Sequence, residues 1–116
     1  MNKDRLEVVR SLIEFSHPLD LVTEQIRSFE WDYEGQPVEL TSQHLIKVLN
    51  TFIDGKMSAN DVEKWANLVE GREDISFESA SKKLIEQVMH ELANPVITTP
   101  LDKNRAKKLI TDFAEK

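Results

Sequence analysis

The sequence contains no cysteine. That excludes a disulfide framework, a thiolate metal site and a thiol nucleophile together. A thiol-free chain suits a reducing compartment, so a cytoplasmic protein is expected. Glycine is scarce as well. Gly35, Gly55 and Gly71 lie too far apart for the clustered cradle that wraps a phosphate, and each fits a turn or a helix stop. No apolar run approaches the ~18 residues that span a bilayer. The opening MNKDRLEVVRSL is broken by Glu7 and Arg10 and lacks the continuous apolar stretch of a secretory signal. Positive charge is in deficit too, with 15 Lys and Arg against 21 Asp and Glu, a net charge of −6. Such a balance weighs against direct nucleic-acid binding, whose affinity comes mainly from cations on phosphate. It favours encounter with a basic protein, although mild acidity is common among ordinary cytosolic chains.

What is present is enough for one folded unit. With 116 residues, 40% hydrophobic and 31% charged, residues 1–116 are expected to form a single domain with one core. Periodicity is helical almost throughout. Leu6, Val9 and Ile13, with Leu12 beside them, mark a helix over residues 3–15. His17-Pro18 breaks it, and Pro18 suits the first position of the next helix, whose stripe is Leu19, Val22, Ile26 and Phe29. Thr41 or Ser42 caps a third helix carrying Leu45, Val48, Leu49 and Phe52, stopped by Gly55. Ser58-Ala59-Asn60-Asp61 reads as a capping box with Asp in place of Glu, opening a fourth helix through Val62, Trp65, Ala66 and Val69 to Gly71. The short Gly-Lys-Met connection predicts a tight antiparallel pair. Leu84, Val88 and Leu92 mark a fifth helix starting near Phe77 or Ser79 and ended by Asn94-Pro95. Val96-Ile97-Thr98 reads as extended and packed. Thr99 as cap and Pro100 at the first position then start a sixth helix with Ala106, Leu109, Ile110 and Phe113 inward. The expected fold class is therefore mainly all-α: a compact bundle of about six helices.

One stretch departs from that pattern. EWDYEGQPVEL, residues 30–40, alternates aromatic or aliphatic with acidic side chains around Gly35 and Pro37. It predicts a short hairpin or an ordered loop. No Lys or Arg occurs between Arg27 and Lys47.

Each candidate catalytic constellation in the sequence fails on spacing. In His90-Glu91-Leu92-Ala93-Asn94 the second imidazole that a zinc helix needs is Asn94. Asp54-Gly55-Lys56-Met57-Ser58 starts like a calcium loop, but Lys56 breaks the alternation of ligands and position twelve is Trp65 rather than Glu. His17 and His44 have no nucleophile at an informative spacing. No catalytic residue, cofactor or metal ligand is assigned.

Two acidic segments remain, residues 30–39 and 70–78. The plainer reading seals Trp31 and Tyr33 onto the core and leaves the acids in water. The functional reading makes Glu30, Asp32, Glu34, Glu70, Glu73 and Asp74 a charged surface for a partner's Lys and Arg, with Trp31 or Tyr33 as its anchor. The C-terminal helix, with Lys103, Arg105, Lys107 and Lys108, gives the surface an opposite pole.

LIKVLNTFIDGKMSANDVEKWANLVEGRED (45–74) and ELANPVITTPLDKNRAKKL (91–109) resemble small acidic helical bacterial proteins. Among these are immunity proteins of contact-dependent inhibition and bacteriocin systems. The resemblance covers about the last two-thirds of the chain and rests on capping and packing motifs, so it transfers no site residue. It implies a non-enzymatic immunity or antitoxin protein, monomeric or weakly dimeric, that binds a cognate basic toxin domain such as a nuclease, without membrane or direct nucleic-acid contact. The competing readings are a regulatory or adaptor module and a small metal-dependent enzyme working through His90 or His44.

Overall fold

The computed structural model describes residues 5–14, 19–27, 29 and 37–114. Their order is α1 (Arg5–Glu14), α2 (Leu19–Ile26), β1 (Val38–Leu40), α3 (Ser42–Ile53), α4 (Ala59–Val69), β2 (Ile75–Phe77), α5 (Lys82–Ala93) and α6 (Lys103–Ala114), with a 3₁₀ turn at Ser79–Ser81 before α5. About six helices were expected, and six are found among the described residues.

The helices form where apolar residues recur at helical spacing, and they stop where the backbone rules require. Ser58 Oγ accepts the Asp61 amide at 3.1 Å and Asp61 Oδ2 accepts the Ser58 amide at 3.0 Å, so the capping box opens α4 as expected. Gly55 and Gly71 follow α3 and α4 with φ of 82° and 86°, a left-handed geometry that glycine adopts without strain.

The core is continuous across the elements. It takes Val8, Val9, Leu12 and Ile13 from α1, Val22 and Ile26 from α2, and Leu45, Val48 and Leu49 from α3. Val62, Trp65, Ala66 and Val69 come from α4, Ile85, Val88, Met89 and Leu92 from α5, and Ala106, Leu109 and Phe113 from α6. The inward stripe of α5 is thus turned from the expected Leu84 toward Ile85 and Met89. α1 packs on α2, α3 chiefly on α6, and α4 chiefly on α5. The short α3–α4 turn therefore links two helices whose main neighbours lie elsewhere.

Trp65 is fully buried, and its Nε1 donates to the Leu12 carbonyl at 2.8 Å. That carbonyl belongs to the last turn of α1, where no intrahelical donor remains. Lys47 of α3 likewise donates Nζ to the Glu14 carbonyl at 2.7 Å. α1 has no basic residue in its last turn, so α3 and α4 supply from outside the donors and positive charge that favour a helix C-terminus.

Two expected boundaries move. The extended segment at 96–98 is instead a turn, in which the Asn94 carbonyl accepts the Ile97 amide, the Thr98 amide and Thr98 Oγ1. This arrangement turns Val96 and Ile97 out to 95% and 73% exposure. The last helix begins at Lys103 rather than beside Pro100, because Asp102 Oδ1 accepts the Arg105 amide at 2.7 Å and provides the N-terminal acceptor. Arg105 then clamps Glu91 of α5 with two bonds of 2.7 and 2.6 Å, tying α6 to α5.

Candidate interaction face

β1 and β2 pair in parallel, with Val38 opposite Ile75, Glu39 opposite Ser76 and Leu40 opposite Phe77. The Val38 amide donates to the Asp74 carbonyl and the Glu78 amide to the Leu40 carbonyl, both at 2.9 Å. Parallel neighbours need a crossover connection, here provided by α3 and α4. The consequence concerns charge. The acidic segments at 30–39 and 70–78 read as separate features of the sequence, yet the strand pair sets their described parts side by side. Of the proposed hairpin, β1 is described, and its partner is β2. The other arm, with Glu30, Trp31, Asp32, Tyr33 and Glu34, lies outside the described residues.

Within this corner the acids have different tasks. Glu39 is exposed between the half-buried Val38 and the buried Leu40, an alternation that points its carboxylate away from the core. Glu73 is exposed as well. Glu70 is half-buried, with its carboxylate 4.0 Å from the His90 ring. That acid comes from the end of α4, whereas His90 lies on α5. Glu78 turns back, its Oε1 accepting the Ser42 amide at 3.2 Å at the N-terminus of α3.

Asp74 corrects the sequence reading. It is fully buried and presents no charge to a partner. Arg72, also buried, donates Nε to Oδ1 and Nη2 to Oδ2, each at 2.9 Å. Arg5, the first residue of α1, donates Nε to Oδ2 at 2.9 Å. The Arg5 guanidinium also stands 5.8 Å from the centre of the Phe29 ring. Burial pushes the Asp74 carboxyl up, but hydrogen bonds from Arg72 and Arg5 and their positive charges outweigh it and hold the group below its ordinary 3.8. Arg72 stands two positions before Asp74, and that closeness in sequence was the available clue to their pairing. Arg5, 69 positions away, left none.

His44 sits at the same corner. Its Nδ1 accepts the Thr41 amide at 2.9 Å, completing a capping box at the start of α3. Elsewhere, a cleft of about 380 Å³ between α2 and α4 is lined by Asp20, Thr23, Arg27, Lys64, Asn67 and Leu68. Among the described residues no three His, Asp or Glu side chains are grouped to hold a metal ion. No helix among them is long and apolar enough to cross a membrane. No protein-family model matches the sequence, and no curated protein or solved structure shows significant similarity to it.

Proposed function

We propose that this chain is a non-enzymatic immunity or antitoxin protein acting in the cytoplasm, and that it docks a cognate basic toxin domain on the corner formed by β1, β2 and the segments that feed them. The observation that carries the reading is that one parallel strand pair brings together the described parts of two acidic segments. Glu39 is exposed on β1 and Glu73 is exposed in the turn that enters β2, with Glu70 at the end of α4 nearby in sequence. At the entry to β2 the buried Asp74 and Arg72, joined by the half-buried Arg5, form a hydrogen-bonded support with one positive charge in excess. Exposed carboxylates on a firm base suit a surface whose own ligand is polyanionic, because they can stand where phosphates stand. A nuclease is the toxin class that fits. The net charge of −6 adds long-range steering toward such a partner.

The test is co-purification with the product of the adjacent gene, followed by calorimetry at low and high salt. Tight binding that weakens as salt rises supports the reading, because exposed charges are screened over about 8 Å at physiological ionic strength. Failure to bind a basic neighbouring product counts against it and favours a regulatory or adaptor module with a different partner.

A further inference from the structure

α3 is closed at its N-terminus by a histidine, where a capping box ordinarily uses Glu or Gln. In Thr41-Ser42-Gln43-His44 the His44 amide donates to Thr41 Oγ1 at 3.4 Å, and the Thr41 amide donates to His44 Nδ1 at 2.9 Å. Thr41 Oγ1 is 3.2 Å from the same ring nitrogen. A nitrogen that accepts an N–H must offer a lone pair, so this arrangement requires a neutral imidazole with its proton on Nε2. A protonated ring would set one N–H against another. Glu and Gln have no such condition near neutral pH.

The cap lies at a junction. Leu40, the last residue of β1, accepts the Glu78 amide, and Ser42, the first residue of α3, donates its amide to Glu78 Oε1. Thr41 connects these two residues. The hydrogen bond that His44 makes therefore fixes the single residue between the sheet pairing and the helix. Four charged groups act on the ring. They are Glu14 from the end of α1, Glu39 from β1, Lys47 from α3 and Glu78 from the segment after β2.

We propose that His44 is a proton-operated latch: neutral, it closes α3 and fastens the β1–α3 corner; protonated, it releases the Thr41 amide and loosens the corner where the acidic segments meet. On protonation the ring loses its acceptor and gains attraction to the carboxylates of Glu14, Glu39 and Glu78, so it is drawn from the Thr41 amide toward them. Burial lowers the affinity of His44 for the proton. Glu14, Glu78 and Glu39 raise it and Lys47 lowers it, with the balance below the ordinary 6.5. The latch is thus closed at neutral pH and opens on acidification. In the window below 6.5 the unfolded chain binds the proton more readily than the folded one, so stability falls as pH falls. The latch belongs to the fold and operates whichever partner docks.

The experiment is a two-dimensional NMR titration of the full chain and of the His44→Gln and His44→Ala variants. In the wild type, the His44 ring should titrate below pH 6.5. The Thr41 amide resonance should follow with the same midpoint. After correction for the intrinsic pH dependence, Thr41 amide exchange should quicken about 2- to 10-fold, matching the loss of one ordinary hydrogen bond. His44→Gln should keep the Thr41 amide protected over the same range, because Gln caps without titrating. His44→Ala should leave it fast at every pH. A Thr41 amide indifferent to the His44 titration overturns the latch, as does a His44→Gln chain whose Thr41 signal still titrates like the wild type. A His44 midpoint at or above 6.5 overturns its closed state.

Discussion

Both carboxylate oxygens of Asp74 are held by Arg72, and Arg5 reaches one of them from the start of α1, across 69 positions of sequence. The triad ties the N-terminal helix to the loop that enters β2, and Asp74 also accepts the first hydrogen bond of the sheet through its backbone carbonyl. It supports both the fold and the proposed face.

Removing the centre of the triad leaves two guanidinium groups short of a counter-charge, one of them buried. Asp74→Ala is expected to cost about 3–5 kcal/mol, the usual penalty for breaking a buried pair from one side. Urea denaturation at pH 7 measures it. The pH dependence has a definite sign. Because the folded carboxyl is held below 3.8, its contribution is complete above that value and is lost as pH falls through the folded pKa. Asp74→Asn should therefore flatten the acid limb of a stability-against-pH curve relative to the wild type.

Trp65 offers a cleaner probe of how α1 is terminated. Trp65→Phe retains most of the apolar contact but leaves the Leu12 carbonyl without its donor. The expected cost is about 1–3 kcal/mol, the penalty for an unsatisfied buried acceptor. Trp65→Ala should lose about 3–5 kcal/mol by adding a cavity. Equilibrium denaturation followed by far-ultraviolet circular dichroism ranks the two.

Gly55 turns the chain out of α3 with φ of 82°, and an added Cβ would meet nothing within 4 Å. Backbone strain alone is therefore at stake. Gly55→Ala is expected to destabilise by about 1–2 kcal/mol, and Gly55→Asn by less, because Asn tolerates the left-handed region better. Thermal melts of the two variants make the comparison.

Val96 and Ile97 face water, so replacing both with serine should change stability by no more than about 0.5 kcal/mol per site. A loss of several kcal/mol in a denaturant titration would restore the packed segment that their hydrophobicity suggests.

The helices were legible because each writes its burial stripe at a spacing of three and four and ends at a turn residue. Ser58, Gly55 and Gly71 announce their roles locally, and Trp65 falls on the stripe of Val62 and Val69. The start of α6 was misread because Thr99-Pro100 satisfies one rule for a helix N-terminus while Asp102 satisfies another, and the structure uses Asp102. Val96 and Ile97 were misplaced because hydrophobicity was read as burial, whereas the three donors gathered on the Asn94 carbonyl decide the turn. Asp74 looked like one more surface acid because one of its partners reaches it only in the folded chain. The β1–β2 pairing joins residues 37 positions apart, Val38 and Ile75. Parallel pairing across two intervening helices leaves no local trace in sequence. The candidate face was therefore visible as two acidic stretches, but its unity belongs to the tertiary fold.

The central claim is that the acids of the β1–β2 corner bind a basic protein. The most direct measurement is calorimetry of the adjacent gene's basic product against the wild type, the double reversal Glu39→Lys/Glu73→Lys, and Asp54→Lys. Asp54 is exposed at the C-terminal end of α3. The account predicts that the double reversal weakens binding at least about tenfold, or 1.4 kcal/mol, and reduces its salt dependence, while Asp54→Lys changes neither. Equal affinity for the wild type and the double reversal, or an equal loss with Asp54→Lys, would contradict it.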